Sequence, residues 1–209
     1  MRFTDYIWDF DGTLFDTYPR MCAAFRTALA RQGVDRPSEE VMAAIKRSMG
    51  AAVKAFSSQY ALDAGRLMAD YHDIERAMPP ETIRPFDGAA DFMRAVAERG
   101  GRHFLYTHRD ESALQTLARW NLDRWFTGGV TAADGFPAKP APDALNHLVA
   151  AHAIAPGRAV MMGDRDIDLE AAKNAGIAGC LFDPEHFYDA YPAPLRCESY
   201  KALWALMEL

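Results

Sequence analysis

Cysteine is scarce and scattered in this chain. There are three, Cys22, Cys180 and Cys197, with no CxxC pair and no spacing that would close a zinc site. A disulfide framework is therefore excluded, and a reducing, cytoplasmic setting is expected. Long apolar runs are missing too. No stretch reaches the roughly 18 residues needed to span a bilayer, and the first residues alternate apolar and charged groups where a targeting segment would place a basic end before an apolar run. No membrane role is expected. Nor is there an excess of positive charge: 23 Lys and Arg stand against 29 Asp and Glu, a formal net charge of -6. No global field exists to gather a nucleic acid, so any phosphate site must be built locally. Low-complexity tracts and internal repeats are absent. What remains is a chain of 209 residues, 50% hydrophobic and 25% charged, long enough to bury a sizeable core as one domain with a large insertion or as two modest domains.

Short apolar runs recur at Tyr6-Ile7-Trp8, Phe104-Leu105-Tyr106, Gly129-Val130-Thr131, Ala159 to Met162 and Gly179 to Phe182, with helical patterns between most of them. Alternating strands and helices predict a parallel sheet. From about Tyr18 to Pro80 the pattern is helical only, and Met78-Pro79-Pro80 followed by Arg84-Pro85-Phe86-Asp87-Gly88 interrupts it. This predicts a core of residues 1–16 and 81–209 with an all-helical insertion at 17–80. Tyr200 to Leu209 is read as a short amphipathic helix closing the core.

Four motifs carry chemistry, and each has a plainer structural reading. Asp9 and Asp11, in Asp9-Phe10-Asp11-Gly12-Thr13, concentrate negative charge at the end of a buried strand, where a hard cation such as magnesium would compensate it. The same five residues also suit a polar capping turn. Thr107, at the next strand end, offers a hydroxyl to a phosphoryl oxygen or caps a helix. Lys139, among the prolines of Phe136-Pro137-Ala138-Lys139-Pro140-Ala141-Pro142, sits in a stiff loop that can hold a point charge; an isolated loop lysine is otherwise solvated. Asp164 and Asp168, in Gly163-Asp164-Arg165-Asp166-Ile167-Asp168, begin a helix whose dipole alone favours acids. All four motifs fall at the carboxyl ends of predicted parallel strands, where open α/β sheets place their ligands.

In this order, Asp9 to Thr13, Thr107, Lys139-Pro140 and Gly163-Asp164 through Asp168 resemble the haloacid dehalogenase superfamily, and more narrowly its helical-cap subgroup that includes phosphoglycolate phosphatases and β-phosphoglucomutases. The resemblance runs from about Asp5 to Phe182. It implies an α/β fold, a Rossmann-like doubly wound parallel sheet with an inserted all-helical cap. It also implies a magnesium-dependent phosphatase acting on a small phosphorylated metabolite, with Asp9 as the nucleophile that forms an aspartyl-phosphate and Asp11 as acid and base. Asp9, the backbone carbonyl of Asp11 and Asp164 would hold Mg2+, with Asp168 in support through water or lysine. Thr107, the backbone near His108, and Lys139 would bind the phosphoryl group. The presence of Asp11 favours phosphoryl chemistry over dehalogenation, because the resembling dehalogenases lack a second acid there.

One departure from the pattern is His108-Arg109 after Thr107, where most members of the resembling family carry a small or amide residue. These two either contact substrate or, in the plainer reading, Arg109 pairs with Asp110 or Glu111 and His108 packs at the rim. Substrate choice would fall to the insertion, with Arg20, Lys46 and Arg47 as candidate contacts, although a solvated helix face accounts for each as well. Phe15 and Tyr18 suit hinge packing. A phosphomutase and a non-catalytic phosphate-binding module are the alternative functions. The expected assembly is a monomer or homodimer.

Overall fold

Apolar runs that end in a carboxylate or a glycine become the strands of a parallel sheet. The computed structural model describes residues Met1–Leu209. Its strands are Asp5–Trp8 (β1), Phe15–Asp16 (β2), Arg84–Pro85 (β3), Arg102–Tyr106 (β4), Phe126–Val130 (β5), Ala159–Gly163 (β6), Ala178–Phe182 (β7) and Leu195–Cys197 (β8). Its helices are Tyr18–Arg31 (α1), Ser38–Arg47 (α2), Met49–Tyr60 (α3), Ala64–Ala77 (α4), Ala89–Glu98 (α5), Ser112–Arg119 (α6), Asp143–Ala151 (α7), Asp166–Asn174 (α8) and Tyr200–Leu206 (α9). None is long and apolar enough to cross a membrane.

The chain forms two units, Met1–Phe15 with Pro85–Leu209, and Asp16–Arg84. The return crossing thus lies later than the expected 80/81 boundary. The reason is Arg20 on α1, whose Nη1 donates to the Pro79 carbonyl at 2.7 Å and to the Thr82 hydroxyl at 2.6 Å, tying residues 79–82 to the helices.

In the first unit six strands pair in the order β5-β4-β1-β6-β7-β8, all parallel. β1 is central, so alternate side chains of Tyr6-Ile7-Trp8 are buried on opposite faces. On one face Ile7, Phe104 and Met161 pack with Ala144, Leu145 and Leu148 of α7 and Ala171 and Ala172 of α8. On the other, Trp8 meets Phe92 of α5 edge-on at 5.8 Å and stacks near Tyr200 of α9 at 6.1 Å. Helices on both faces make this the doubly wound Rossmann-like arrangement. The expected closing helix is α9, which ends at Leu206.

The second unit is four helices around their own apolar core. Phe25 of α1, wholly buried, meets Phe56 of α3 at 5.7 Å and Tyr71 of α4 at 6.1 Å. Leu67, Val41, Ala28 and Leu29 complete the cluster. Tyr18, expected at a hinge, is buried among these residues.

One polar group lies deep in the aromatic face of the sheet. His103 is wholly buried; its Nδ1 accepts from Trp8 Nε1 at 2.9 Å, which leaves Nε2–H to donate to the Met93 carbonyl at 2.9 Å. Burial outweighs the Met93 bond and pushes its pKa down to about 4. The unfolded imidazole titrates near 6.5, so between these values the unfolded chain binds the extra proton. This contribution to stability is present above about pH 6.5 and is lost as the pH falls toward 4. Urea unfolding at pH 7 and pH 5 should show wild type losing about 2 kcal/mol more than His103→Gln, whose amide can keep both bonds. Equal losses in the two proteins would refute a neutral His103 as the source.

Candidate active site

The site is assembled from the loops that follow β1, β4 and β6, and from the proline-rich loop before α7. The Asp9 amide donates to the Met162 carbonyl at 2.8 Å, which continues the β1–β6 pairing one residue past β1 and fixes where the carboxylate emerges. Gly12 then turns the chain with φ +76°, a left-handed conformation suited to glycine, and donates to the Phe15 carbonyl at 2.8 Å. After β6, the Asp168 carboxylate lies against the Gly163 backbone. A Cβ on Gly163 would stand 2.2 Å from the Asp168 Cβ, so only glycine admits this packing. Asp168 Oδ2 also accepts from the Arg165 amide at 3.1 Å, capping α8.

Lys139 joins these loops. Its Nζ lies 2.6 Å from Asp9 Oδ1 and 2.7 Å from Asp168 Oδ1, with all three side chains nearly inaccessible. It also sits 4.5 Å from the centre of the Tyr106 ring, a cation–π contact. Burial by itself would lower the lysine pKa, but Asp168 and Asp9 more than reverse this and hold it above its ordinary value. Desolvation raises Asp9 to about 6 against the pull of Lys139. The group at neutral pH is an ammonium between carboxylates.

Oxygens of Asp9, Asp164 and Asp168 all lie within 4.8 Å of one another. Asp9 Oδ2 is buried and has no hydrogen-bond donor. A carboxylate oxygen so placed is costly unless a cation meets it, and hard oxygen donors suit a divalent metal. The residues present therefore fit a metal ion.

Thr107 is buried after β4, its amide bonded to the Val130 carbonyl at 3.0 Å. Its hydroxyl does not cap a helix: α6 starts later, and Oγ1 accepts from the Arg109 amide at 3.0 Å in a local turn, leaving the hydroxyl hydrogen to donate. His108 Nε2 accepts from the Lys139 amide at 2.9 Å, so the side chain anchors the lysine loop. Much of the residue faces solvent, yet desolvation of the ring, then Lys139 and Arg165, push its pKa down to about 4, and it is neutral near pH 7. Arg109 pairs with Asp11, a partner the sequence reading did not name, Nη2 to Oδ1 at 2.7 Å and Nε to Oδ2 at 3.3 Å. That pairing was hidden in the sequence, where the two lie 98 positions apart.

The candidates of the helical unit separate. Arg20 is a correction: it is buried, bridges Glu75 at 2.8 Å, and donates to the Pro79 and Met78 carbonyls, the Thr82 hydroxyl and, closely, the Glu75 carbonyl. Its donors are consumed within its own unit, which leaves no fork for a substrate. Lys46 is buried with Nζ 5.2 Å from the Tyr18 ring centre, and Arg47 is exposed at the end of α2.

A family model described as haloacid dehalogenase-like hydrolase matches residues 6–182. A phosphoglycolate phosphatase of Caulobacter vibrioides is 31% identical over 187 residues, 83% of this chain and 76% of its own length. A 5'-nucleotidase of Pseudomonas aeruginosa is 25% identical over 217 residues, 100% of this chain and 97% of its own. Among solved structures, a hydrolase from Streptococcus pneumoniae TIGR4 superposes with a TM-score of 0.72 at 30% identity, covering 100% of both chains.

Two substitutions test the cations. Lys139→Met should lower stability by about 3–5 kcal/mol in chelator at pH 7, since it strands buried carboxylates; a urea shift below about 1 kcal/mol would show that the ammonium does not hold them. Arg20→Met should also be destabilising, because Glu75 loses its 2.8 Å ion pair and several carbonyls lose a donor. Its KM for any substrate turned over should stay within about twofold of wild type, whereas a tenfold rise would restore Arg20 as a contact.

Proposed function

Because the chain belongs to the haloacid dehalogenase-like hydrolases, and its carboxylates and lysine converge at the strand ends, we propose that it is a magnesium-dependent phosphatase. Its substrate is a small phosphorylated metabolite. The observation that carries this reading is the buried pair of Asp9 and Lys139 beside a second acid, Asp11, two residues on. A nucleophilic carboxylate, a fixed cation and a separate proton carrier are what two-step phosphoryl transfer requires.

Asp9 attacks phosphorus and forms the aspartyl-phosphate, while Asp11 protonates the departing alcohol oxygen. Asp11, then a carboxylate, takes a proton from the water that attacks the phosphoenzyme, and Asp9 is released. Lys139 offsets charge on the phosphoryl oxygens and keeps Asp9 ionised; the Thr107 hydroxyl donates to one of those oxygens. Asp9, Asp164 and the backbone carbonyl of Asp11 would hold Mg2+, with Asp168 supporting them through Lys139. When bound, the ion supplies further neutralisation of phosphate charge.

Purified protein should release phosphate from members of a small phosphomonoester panel with Mg2+ and stop in EDTA. Asp9→Asn should lower kcat by about three orders of magnitude or more, since it removes the nucleophile while keeping the side-chain shape. Activity that survives Asp9→Asn would end this assignment.

A further inference from the structure

Arg109 is not held as a surface arginine would be. Its guanidinium meets both oxygens of Asp11, and its Cζ lies 5.5 Å from the centre of the Phe10 ring. Its own amide is tied to Thr107 Oγ1 at 3.0 Å, and its carbonyl accepts from the Ala132 amide at 3.0 Å. The side chains of Arg109 and Asp11 are 14% and 25% exposed. An exposed ion pair contributes little, but this one is bidentate, partly sheltered and anchored at the backbone by two further bonds. A fork of this kind fixes the plane of the carboxylate it grips, which a single ammonium does not.

We propose that Arg109 is a positioning residue that orients Asp11 for proton transfer. The inference rests on the phosphatase reading. In the first half of that reaction the Asp9 oxygen–phosphorus bond forms and the phosphorus–ester oxygen bond breaks. The leaving oxygen keeps the electron pair and takes the Asp11 proton. In the second half the water oxygen–phosphorus bond forms, the Asp9–phosphorus bond breaks with its pair returning to Asp9, and Asp11 takes the water proton. Asp11 enters the second half as the anion, the form a guanidinium fork binds. That half depends on Arg109 most.

p-Nitrophenyl phosphate separates the halves, because nitrophenolate departs without needing a proton. With Mg2+ present, Arg109→Ala should lower its kcat by about 10- to 100-fold, a part of the usual general acid–base factor. It should keep kcat/KM within about threefold and show a burst of nitrophenolate near one equivalent per enzyme. For an alkyl phosphate, whose leaving group needs the Asp11 proton, kcat/KM should fall as well. Arg109→Lys should recover part of the loss. In an Asp11→Asn background, Arg109→Ala should change single-turnover rates by less than about twofold, since a residue acting through Asp11 has nothing left to orient.

An unchanged kcat, a rise in KM at constant kcat, or the full loss reproduced on top of Asp11→Asn would each overturn the proposal. If Arg109→Ala does not fold by thermal unfolding, Arg109→Lys and Arg109→Gln carry the same comparisons. Wild type without phosphatase activity would overturn the phosphatase reading itself, whereas active wild type matched by Arg109→Ala would overturn the positioning role alone.

Discussion

The buried ammonium of Lys139 is the contact on which the rest of the site depends. Asp9 and Asp168 are almost fully inaccessible, and each places an oxygen within 2.7 Å of the same nitrogen. Without that charge two buried carboxylates would face each other uncompensated, and an uncompensated buried anion costs several kcal/mol. The lysine must itself be held in place. His108 accepts from its amide, and Asn174, the last residue of α8, donates to the Pro140 carbonyl at 2.9 Å. The turn after β4 and the end of α8 thus fix the loop, and the loop fixes the carboxylates after β1 and β6.

This dependence runs through residues that do two things at once. Asp168 caps α8 through the Arg165 amide and also faces Lys139, so the start of that helix and the electrostatics of the site share one carboxylate. Gly163 permits both, since any side chain there would occupy the volume of Asp168. A helix-capping explanation of the acids after β6 and a functional one are therefore not alternatives. The dipole and the lysine stabilise the same charge.

The central strands were legible because β1, β4 and β6 are buried on both faces and read as apolar runs. Asp9 and Asp164 were legible as site candidates because each follows such a run. β8, only Leu195–Cys197, was not. Its place depends on Arg196, which reaches Asp183 at 3.0 Å and the carbonyls of Tyr188 and Tyr191, contacts that arise only once the chain after β7 has folded back. The arginines were the least readable. Arg20 and Glu75 are separated by 55 positions and Arg109 and Asp11 by 98, so their partners are set by tertiary structure.

The two arginines also show why residue type alone misleads about anion sites. A guanidinium fork is satisfied equally by a substrate phosphate, a carboxylate or a row of backbone carbonyls. Arg20 meets carbonyls and one acid among the helices, and its charge is spent on holding residues 75–82. Arg109 meets an acid whose neighbour, two residues away, is the buried Asp9. Arg20 and Arg109 are both well shielded from solvent, yet their surroundings separate them. One closes a structural turn, and the other places a second fixed cation beside Asp11, as Lys139 stands beside Asp9.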